Sequence, residues 1–100
     1  MFFFNRETIN TAVETCRSTP GAVLLDVREA DEFQSGHIPG AVNLPLSRIT
    51  QASMDKDTPL FVYCLRGTRS RQAVAALKRL GYTQARSIGG IVSYRGTLER

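Results

Sequence analysis

The chain has 100 residues, a length that fits one domain with a core of its own. Its content of 42% hydrophobic and 22% charged residues argues against an intrinsically disordered chain. No apolar run reaches the roughly 18 residues of a membrane-spanning helix. The start MFFF is also shorter than the roughly 7 to 15 apolar residues of a signal peptide. We therefore expect a single domain over residues 1–100 and a cytoplasmic location.

Positive charge is concentrated in the second part of the chain. The first 63 residues hold five basic and eight acidic side chains, whereas the last 37 hold eight basic and one acidic. Such asymmetry favours an anionic ligand or partner for the second part. A solvated helix face explains some of these charges, but it explains less well the three arginines close behind Cys64, which are Arg66, Arg69 and Arg71.

Two cysteines, Cys16 and Cys64, and one histidine, His37, are too few and too scattered for a structural zinc site, so we expect no bound metal. Cys16 shares a helical stripe with Ile9 and Val13, which predicts a small buried hydrophobe. A disulfide between the two cysteines is disfavoured in a cytosolic chain.

The predicted elements begin with a helix over 6–17, for which Asn5 is the expected N-cap. The apolar run AVLLDV (22–27) is typical of a strand that is buried on both faces. EADEFQSG (29–36) predicts a short helix, and a second strand is expected around Ala41–Leu44.

The second half of the chain repeats this alternation. SRIT (47–50) predicts one helical turn, and LFVYC (60–64) predicts a third buried strand. RSRQAVAALKRL (69–80) has the spacing of an amphipathic helix. ARSIGG (85–90) then predicts a fourth strand that enters a glycine turn, and IVSYRGTLER (91–100) a final helical segment.

Strands that alternate with helices predict an α/β protein, a three-layer α/β/α sandwich with a mainly parallel sheet of four to five strands. In open sheets of this kind, ligands bind beyond the carboxyl ends of the strands. Three segments fall at such ends: Asp26–Arg28, Cys64–Ser70 and Gly89–Gly90. Cys64 is the best-placed reactive group among them.

The stretch CLRGTRS (64–70) joins a predicted strand to a predicted helix. Gly67 allows a positive φ, and the free N–H groups of the loop and of the helix start make a cradle for an anion. We expect the pKa of the Cys64 thiol to fall from about 8.5, because the helix dipole and the charges of Arg66 and Arg69 favour the thiolate. The thiolate is the nucleophile, so no histidine base is required.

Such a cradle suits two reactions, because it can hold a tetrahedral phosphate or a single sulfur. Four residues separate Cys64 from Arg69, whereas cysteine phosphatases carry five between nucleophile and arginine. The shorter loop favours the smaller ligand, a single sulfur atom, over a phosphate group. A cysteine phosphatase or arsenate reductase is therefore the less favoured alternative.

CLRGTRS (64–70) resembles the CxxGxRS active-site loop of single-domain rhodaneses, the thiosulfate sulfurtransferase family. LLDVREADEFQSGHIPGAVNLP (24–45) is similar to the first signature of that family, and SIGGIVSYRG (87–96) resembles its C-terminal signature. Tyr94 stands where a tryptophan is commoner. The resemblance spans nearly the whole chain in the right order and implies a rhodanese-like fold.

The resemblance also implies a role for each residue of the loop. Cys64 would be the nucleophile and would carry the transferred sulfur as a persulfide. The donor would be a small sulfur anion such as thiosulfate, and the acceptor would be cyanide or a thiol, which a protein can also supply. No cofactor, nucleic acid or membrane is implied. The substrate-binding set would be Leu65, Arg66, Gly67, Thr68, Arg69 and Ser70.

Two questions stay open at this point. Arg69 either faces the ligand or turns inward to a carboxylate, that of Asp26 or Glu32, while Asp26 and Arg28 are expected to brace the loop. A rhodanese-like domain can also serve as a binding or regulatory module without turnover, although retention of Cys64 with the full loop favours an enzyme.

Overall fold

A four-stranded parallel sheet organises the protein. The computed structural model describes residues 7–100 and orders the strands β2-β1-β3-β4. Every residue of β3 is buried, as its uninterrupted apolar sequence predicts. The strands are β1 Val23–Asp26, β2 Val42–Asn43, β3 Leu60–Cys64 and β4 Ala85–Gly90.

Helices cover both faces of this sheet, which confirms the predicted three-layer architecture. The α-helices are α1 Ile9–Ser18, α2 Ala30–Ser35 and α3 Thr68–Arg79, and short 3-10 helices span Leu46–Gln51 and Ile91–Ser93. One hydrophobic cluster joins α3 and the first 3-10 helix to the sheet, and a second joins α1 to the opposite face. No helix within residues 7–100 is long and apolar enough to cross a bilayer.

The start of α1 differs from the prediction. Asn5, the expected N-cap, lies outside the described residues, and the structure assigns the N-cap to Thr8. The Thr8 hydroxyl accepts the N–H of Thr11 at 3.3 Å, and the Thr11 hydroxyl accepts the N–H of Thr8 at 3.1 Å. This reciprocal pair satisfies backbone donors that a helix start leaves free, so α1 begins at Ile9.

The predicted helix over the last ten residues is wrong beyond its first turn. After Ser93 the chain is held by distant partners, because the Asn10 amide donates to the Ser93 carbonyl at 3.1 Å and accepts the N–H of Arg95 at 2.8 Å. Further on, His37 and Glu99 exchange two backbone hydrogen bonds of 2.8 Å. These contacts satisfy backbone groups that a helix would have satisfied internally.

An ion pair links α2 to the start of α3. The Arg69 guanidinium donates from two nitrogens to the two oxygens of Glu32, at 2.7 and 3.0 Å. These hydrogen bonds, with a further one from the N–H of Glu29, lower the pKa of Glu32 to about 2 although burial opposes the shift. The pair therefore stabilises the fold most strongly when Glu32 is ionised.

Tyr82 is buried in the cluster beneath α3, and its hydroxyl has no hydrogen-bond partner among the described residues. Tyr63 is equally buried on the other face, but its hydroxyl accepts the N–H of Ile38 at 3.1 Å. The buried hydroxyl of Tyr63 therefore has a hydrogen bond within the described residues, whereas that of Tyr82 has none.

We predict that Tyr82→Phe leaves the free energy of unfolding unchanged or raises it by about 1 kcal/mol, because it removes a buried polar group that lacks a partner. Tyr63→Phe is the matched control and should lower that free energy by about 1 to 2 kcal/mol, since the N–H of Ile38 loses its acceptor. Urea unfolding of both variants checks the contrast. A loss in Tyr82→Phe as large as that in Tyr63→Phe would contradict it.

We also predict a pH-dependent effect of Glu32→Gln. The folded-state pKa of Glu32 lies below its ordinary value of 4.5, so the stabilisation is present above about pH 4.5 and is lost as the pH falls toward 2. Both side chains are about 30% exposed, at 32% for Arg69 and 29% for Glu32, so solvent weakens the pair. We expect a loss of about 1 kcal/mol at pH 7.

Thermal or urea unfolding of Glu32→Gln from pH 7 down to pH 2.5 measures this effect. Glu14→Gln, which removes an exposed carboxylate from α1, is the control and should track the wild type throughout. A destabilisation of Glu32→Gln that persists undiminished at the lowest pH would show that the ion pair is not its cause.

Candidate active site

Cys64 is the last residue of β3, and α3 begins four residues later. The chain turns between these elements at Gly67, which precedes α3 with a φ of 109°. Glycine adopts this left-handed conformation without the steric cost that a Cβ brings. As a result, the N-terminus of α3 lies directly over the end of the strand from which Cys64 projects.

Two backbone N–H groups converge on the sulfur of Cys64. The N–H of Gly67 lies 3.0 Å from Sγ, and that of Ser70, in the first turn of α3, lies 3.3 Å from it. Amides at a helix start have no partner within the helix, so they are available to the sulfur. This is the cradle that the sequence predicts, built around the thiol itself.

The pKa of Cys64 is lowered from its ordinary value. Burial of the thiol pushes it upward, but donation from the Ser70 amide and hydroxyl and from the Gly67 and Arg66 amides outweighs that effect. The sequence predicts a leading role for the helix dipole and for arginine charges. The main stabilising contacts are instead hydrogen bonds, of which Arg66 supplies one through its backbone.

Arg69 turns toward a carboxylate, and its partner is Glu32 rather than Asp26. Its guanidinium is half-buried and holds α2 against the loop, while its proximity to Cys64 is still felt as a charge interaction. The loop that follows Cys64 is therefore less cationic than its sequence implies.

A depression of about 180 Å³ opens at Cys64. Arg66 is exposed and lines it, in a position to meet an anion that arrives from solvent. Sites for drug-sized ligands occupy roughly 300 to 1,000 Å³, so this volume suits a smaller guest. A depression of about 340 Å³ lies at the amino ends of β3 and β4, but its lining includes no cysteine, histidine or carboxylate. The lining of the smaller one is Cys64, Leu65, Arg66, Thr68 and Arg69.

Asp26 and Arg28 form a buried ion pair at the end of β1. Arg28 Nη2 lies 2.6 Å from Asp26 Oδ2, and it also donates to the Gly36 carbonyl at 2.8 Å. The same guanidinium lies 5.9 Å from the ring centroid of Tyr63, the residue before Cys64. The pair thus joins β1, the end of α2 and β3, and it lies behind the loop rather than within the depression.

Ser87 also contacts the loop, although the sequence alone predicts no role for it. Its hydroxyl oxygen lies 2.7 Å from that of Ser70. Ser87 pairs with Val62, whereas Gly89 pairs with Tyr63, so β4 contains one extra residue, a β-bulge. The bulge follows the Ser87–Val62 pair, so Ser87 keeps the regular alternation and shares the α3 side of the sheet with Ala85. Its contact with Ser70 depends on the pairing of two strands that are distant in sequence, which no local pattern specifies.

Comparisons with known proteins agree with this geometry. The family model described as the rhodanese-like domain matches residues 9–97. A thiosulfate sulfurtransferase GlpE of Pseudomonas savastanoi is 44% identical over 77% of this chain and 76% of its own length. An uncharacterised protein YqhL of Bacillus subtilis is 38% identical over 78% of the chain, and the match spans 64% of that relative, less than two thirds of its length.

A solved structure described as a rhodanese with anions, from E. coli, superposes with a TM-score of 0.71 at 31% identity, covering 79% of this chain and 98% of that one. The family model covers most of the chain, and both the fold and the strand-to-helix loop at Cys64 are those that the resemblance implied. The chain belongs to the rhodanese-like domain family.

Proposed function

We propose that this protein is a sulfurtransferase that moves sulfane sulfur from thiosulfate, or from a persulfide donor, to a thiophilic acceptor through a persulfide on Cys64. The observation that carries the proposal is the convergence of the Gly67 and Ser70 amides on Sγ, at 3.0 and 3.3 Å, inside a small depression. Relatives named thiosulfate sulfurtransferase, at 44% and 39% identity, support the same reaction class.

In the first half-reaction, the Cys64 thiolate attacks the sulfane sulfur of thiosulfate. A new S–S bond forms to Cys64, and the S–S bond of thiosulfate breaks and leaves its electron pair on departing sulfite. Arg66, exposed at the depression, is suited to attract the sulfonate oxygens. The persulfide keeps one negative charge on its outer sulfur, for which the amides from Leu65 to Ser70 are the donors in reach.

In the second half-reaction, an acceptor attacks the outer sulfur. Cyanide would leave as thiocyanate and a thiolate would leave as a persulfide, and in each case the electron pair of the broken S–S bond returns to Cys64 as thiolate. The enzyme alternates between two covalent states, which gives ping-pong kinetics. The side chains and amides of the loop suffice for both steps, so the proposal involves no metal or organic cofactor.

We assign the whole activity to one domain over residues 1–100 and propose a cytoplasmic location. Cys16 and Cys64 are both free thiols in separate clusters on opposite faces of the sheet, an arrangement that agrees with a reducing compartment. Asp26 and Arg28 support the site from behind, because their contacts reach Tyr63 and Gly36 rather than the depression.

The proposal requires that the loop keep its shape through both half-reactions. Gly90, which pairs with Cys64 in the sheet, lies under the loop with no room for a side chain. A Cβ at this position would lie 2.2 Å from the Leu65 carbonyl oxygen and 2.5 Å from the Arg66 Cα. Both are backbone atoms, which cannot rotate away, so the position of the loop depends on this glycine.

Incubation with thiosulfate followed by intact-mass measurement tests the proposed function. We expect wild type to gain the mass of one sulfur atom and Cys64→Ser to gain none, because the persulfide needs the thiolate. Cys16→Ser is the matched control and should behave as wild type, since Cys16 is buried in α1 and burial raises its pKa.

If wild type gains no sulfur from thiosulfate or from a small persulfide, the enzyme assignment fails and a binding or regulatory module becomes the better account. Hydrolysis of an aryl phosphate that is lost in Cys64→Ser would instead identify a phosphatase.

Gly90→Ala should slow persulfide formation by about 10- to 100-fold, because the added methyl group displaces the backbone that carries the amides. The control is Gly21→Ala, whose φ of 76° costs stability but whose Cβ would meet nothing within 4 Å. It should lower the unfolding temperature and leave the rate of sulfur transfer unchanged. A wild-type rate in a folded Gly90→Ala protein would disprove the role of this contact.

A further inference from the structure

Ser87 reaches the active-site loop from below. It is half-buried in β4 opposite Val62, whose side chain belongs to the cluster under α3, so Ser87 faces the same helix. Its Oγ lies 2.7 Å from the Oγ of Ser70, which is fully buried. We propose that Ser87 is a positioning residue, whose hydroxyl donates to the Ser70 hydroxyl and thereby leaves the Ser70 proton free to bind the anionic sulfur of Cys64.

The number of protons available at the two hydroxyls supports this direction of donation. The Ser70 hydroxyl has one proton and two short contacts, at 2.9 Å to the Gly67 carbonyl and at 2.7 Å to Ser87. The carbonyl can only accept, so Ser70 donates to Gly67. The second contact is then a hydrogen bond only if Ser87 is its donor.

The Ser70 proton has a second acceptor in the sulfur of Cys64. The backbone N–H of Ser70 lies 3.3 Å from this sulfur, which places the hydroxyl of the same short side chain beside it, and that hydroxyl is among the groups that lower the pKa of Cys64. A hydrogen bond to an anion is about twice as strong as one between neutral groups, so the proton should turn from Gly67 to a thiolate or persulfide. The Gly67 carbonyl is not left unpaired, because the N–H of Arg71 donates to it at 3.2 Å.

Ser87 donates to Ser70 whether the Ser70 proton is bound to the Gly67 carbonyl or to the sulfur of Cys64. A hydroxyl that accepts a hydrogen bond becomes a stronger donor, by roughly 10 to 30% for each bond in a chain. Ser87 therefore strengthens the bond from Ser70 to the sulfur without approaching the sulfur itself.

Charge effects at Cys64 come from other elements. β4 places only a hydroxyl and two glycines beneath the loop, whereas the loop, α2, α3 and β1 carry the charges. Four of these charged residues form the two ion pairs described above, Asp26 with Arg28 and Glu32 with Arg69, and neither pair contacts Ser87. A substitution at Ser87 therefore leaves the charges around Cys64 in place. The charged residues around the loop are Asp26, Arg28, Glu32, Arg66, Arg69 and Arg71.

The test is the pKa of the Cys64 thiol, measured from the pH dependence of its alkylation by iodoacetamide in a Cys16→Ser background. Ser87→Ala should raise that pKa by about 0.3 to 0.5 unit, which slows alkylation about two- to threefold at a pH below the pKa. Ser87→Thr keeps the hydroxyl and should restore the wild-type value.

A double-mutant cycle distinguishes positioning from a general structural effect. Because Ser87 acts through Ser70, Ser87→Ala should cause no further change when Ser70→Ala is already present. An unchanged pKa in Ser87→Ala, or an equal rise in both backgrounds, would overturn the inference.

The importance of Ser87 for sulfur transfer rests on the proposed function, but the alkylation measurement does not. If wild type fails to accept sulfur while the pKa pattern holds, only the sulfurtransferase proposal fails. If sulfur transfer occurs and the pKa pattern is absent, only the role of Ser87 fails.

Discussion

The N–H groups of Gly67 and Ser70 point at one sulfur atom, and most of the surrounding structure serves to keep them there. Their convergence requires that β3 end at Cys64, that the chain turn within three residues, and that α3 begin at once. The left-handed backbone at Gly67 makes that turn, and the burial of α3 against the sheet holds the helix in place. The apolar contact between α3 and the sheet thus holds the N–H groups around the Cys64 sulfur in position.

The ion pairs of the site follow from the same requirement. Hydrogen bonds from the fixed loop and helix-start donors stabilise the Cys64 anion, so it needs no mobile counter-charge. Arg69 is therefore available to bind Glu32 and to hold α2 in place. The ion pair of Asp26 and Arg28 likewise holds the end of β1 in place, next to the ring of Tyr63. Of the arginines in the loop and first turn, Arg66 has the exposure and the position to meet a ligand.

Much of this arrangement could be predicted from the sequence, because it depends on local patterns. LFVYC predicts a buried strand, RSRQAVAALKRL predicts a helix with one apolar face, and a glycine between them predicts the turn. The order of strands and helices also indicates a parallel sheet with its site at the carboxyl ends. These features follow from spacing within a few residues.

The parts that escaped prediction depend on contacts between distant residues. The last segment is not a helix because Asn10 and His37, more than 60 residues away, satisfy its backbone. The choice of Glu32 over Asp26 as the partner of Arg69 was open because both carboxylates precede the site along the chain, and only packing separates them. Ser87 escaped prediction because its contact with Ser70 depends on the pairing of β4 with β3, whose regular register ends in a bulge directly after the Ser87–Val62 pair.

That bulge also affects how the protein meets other proteins. In the described sheet β4 is an edge strand, and a straight edge offers unpaired backbone groups to any extended chain nearby. An extra residue, two adjacent glycines and the exposed Arg86 interrupt the regular spacing and add charge along this edge. The opposite edge, β2, has only two residues. Strand β4, which carries the Ser87 hydroxyl under the Cys64 loop, therefore also discourages aggregation through edge-to-edge pairing of sheets.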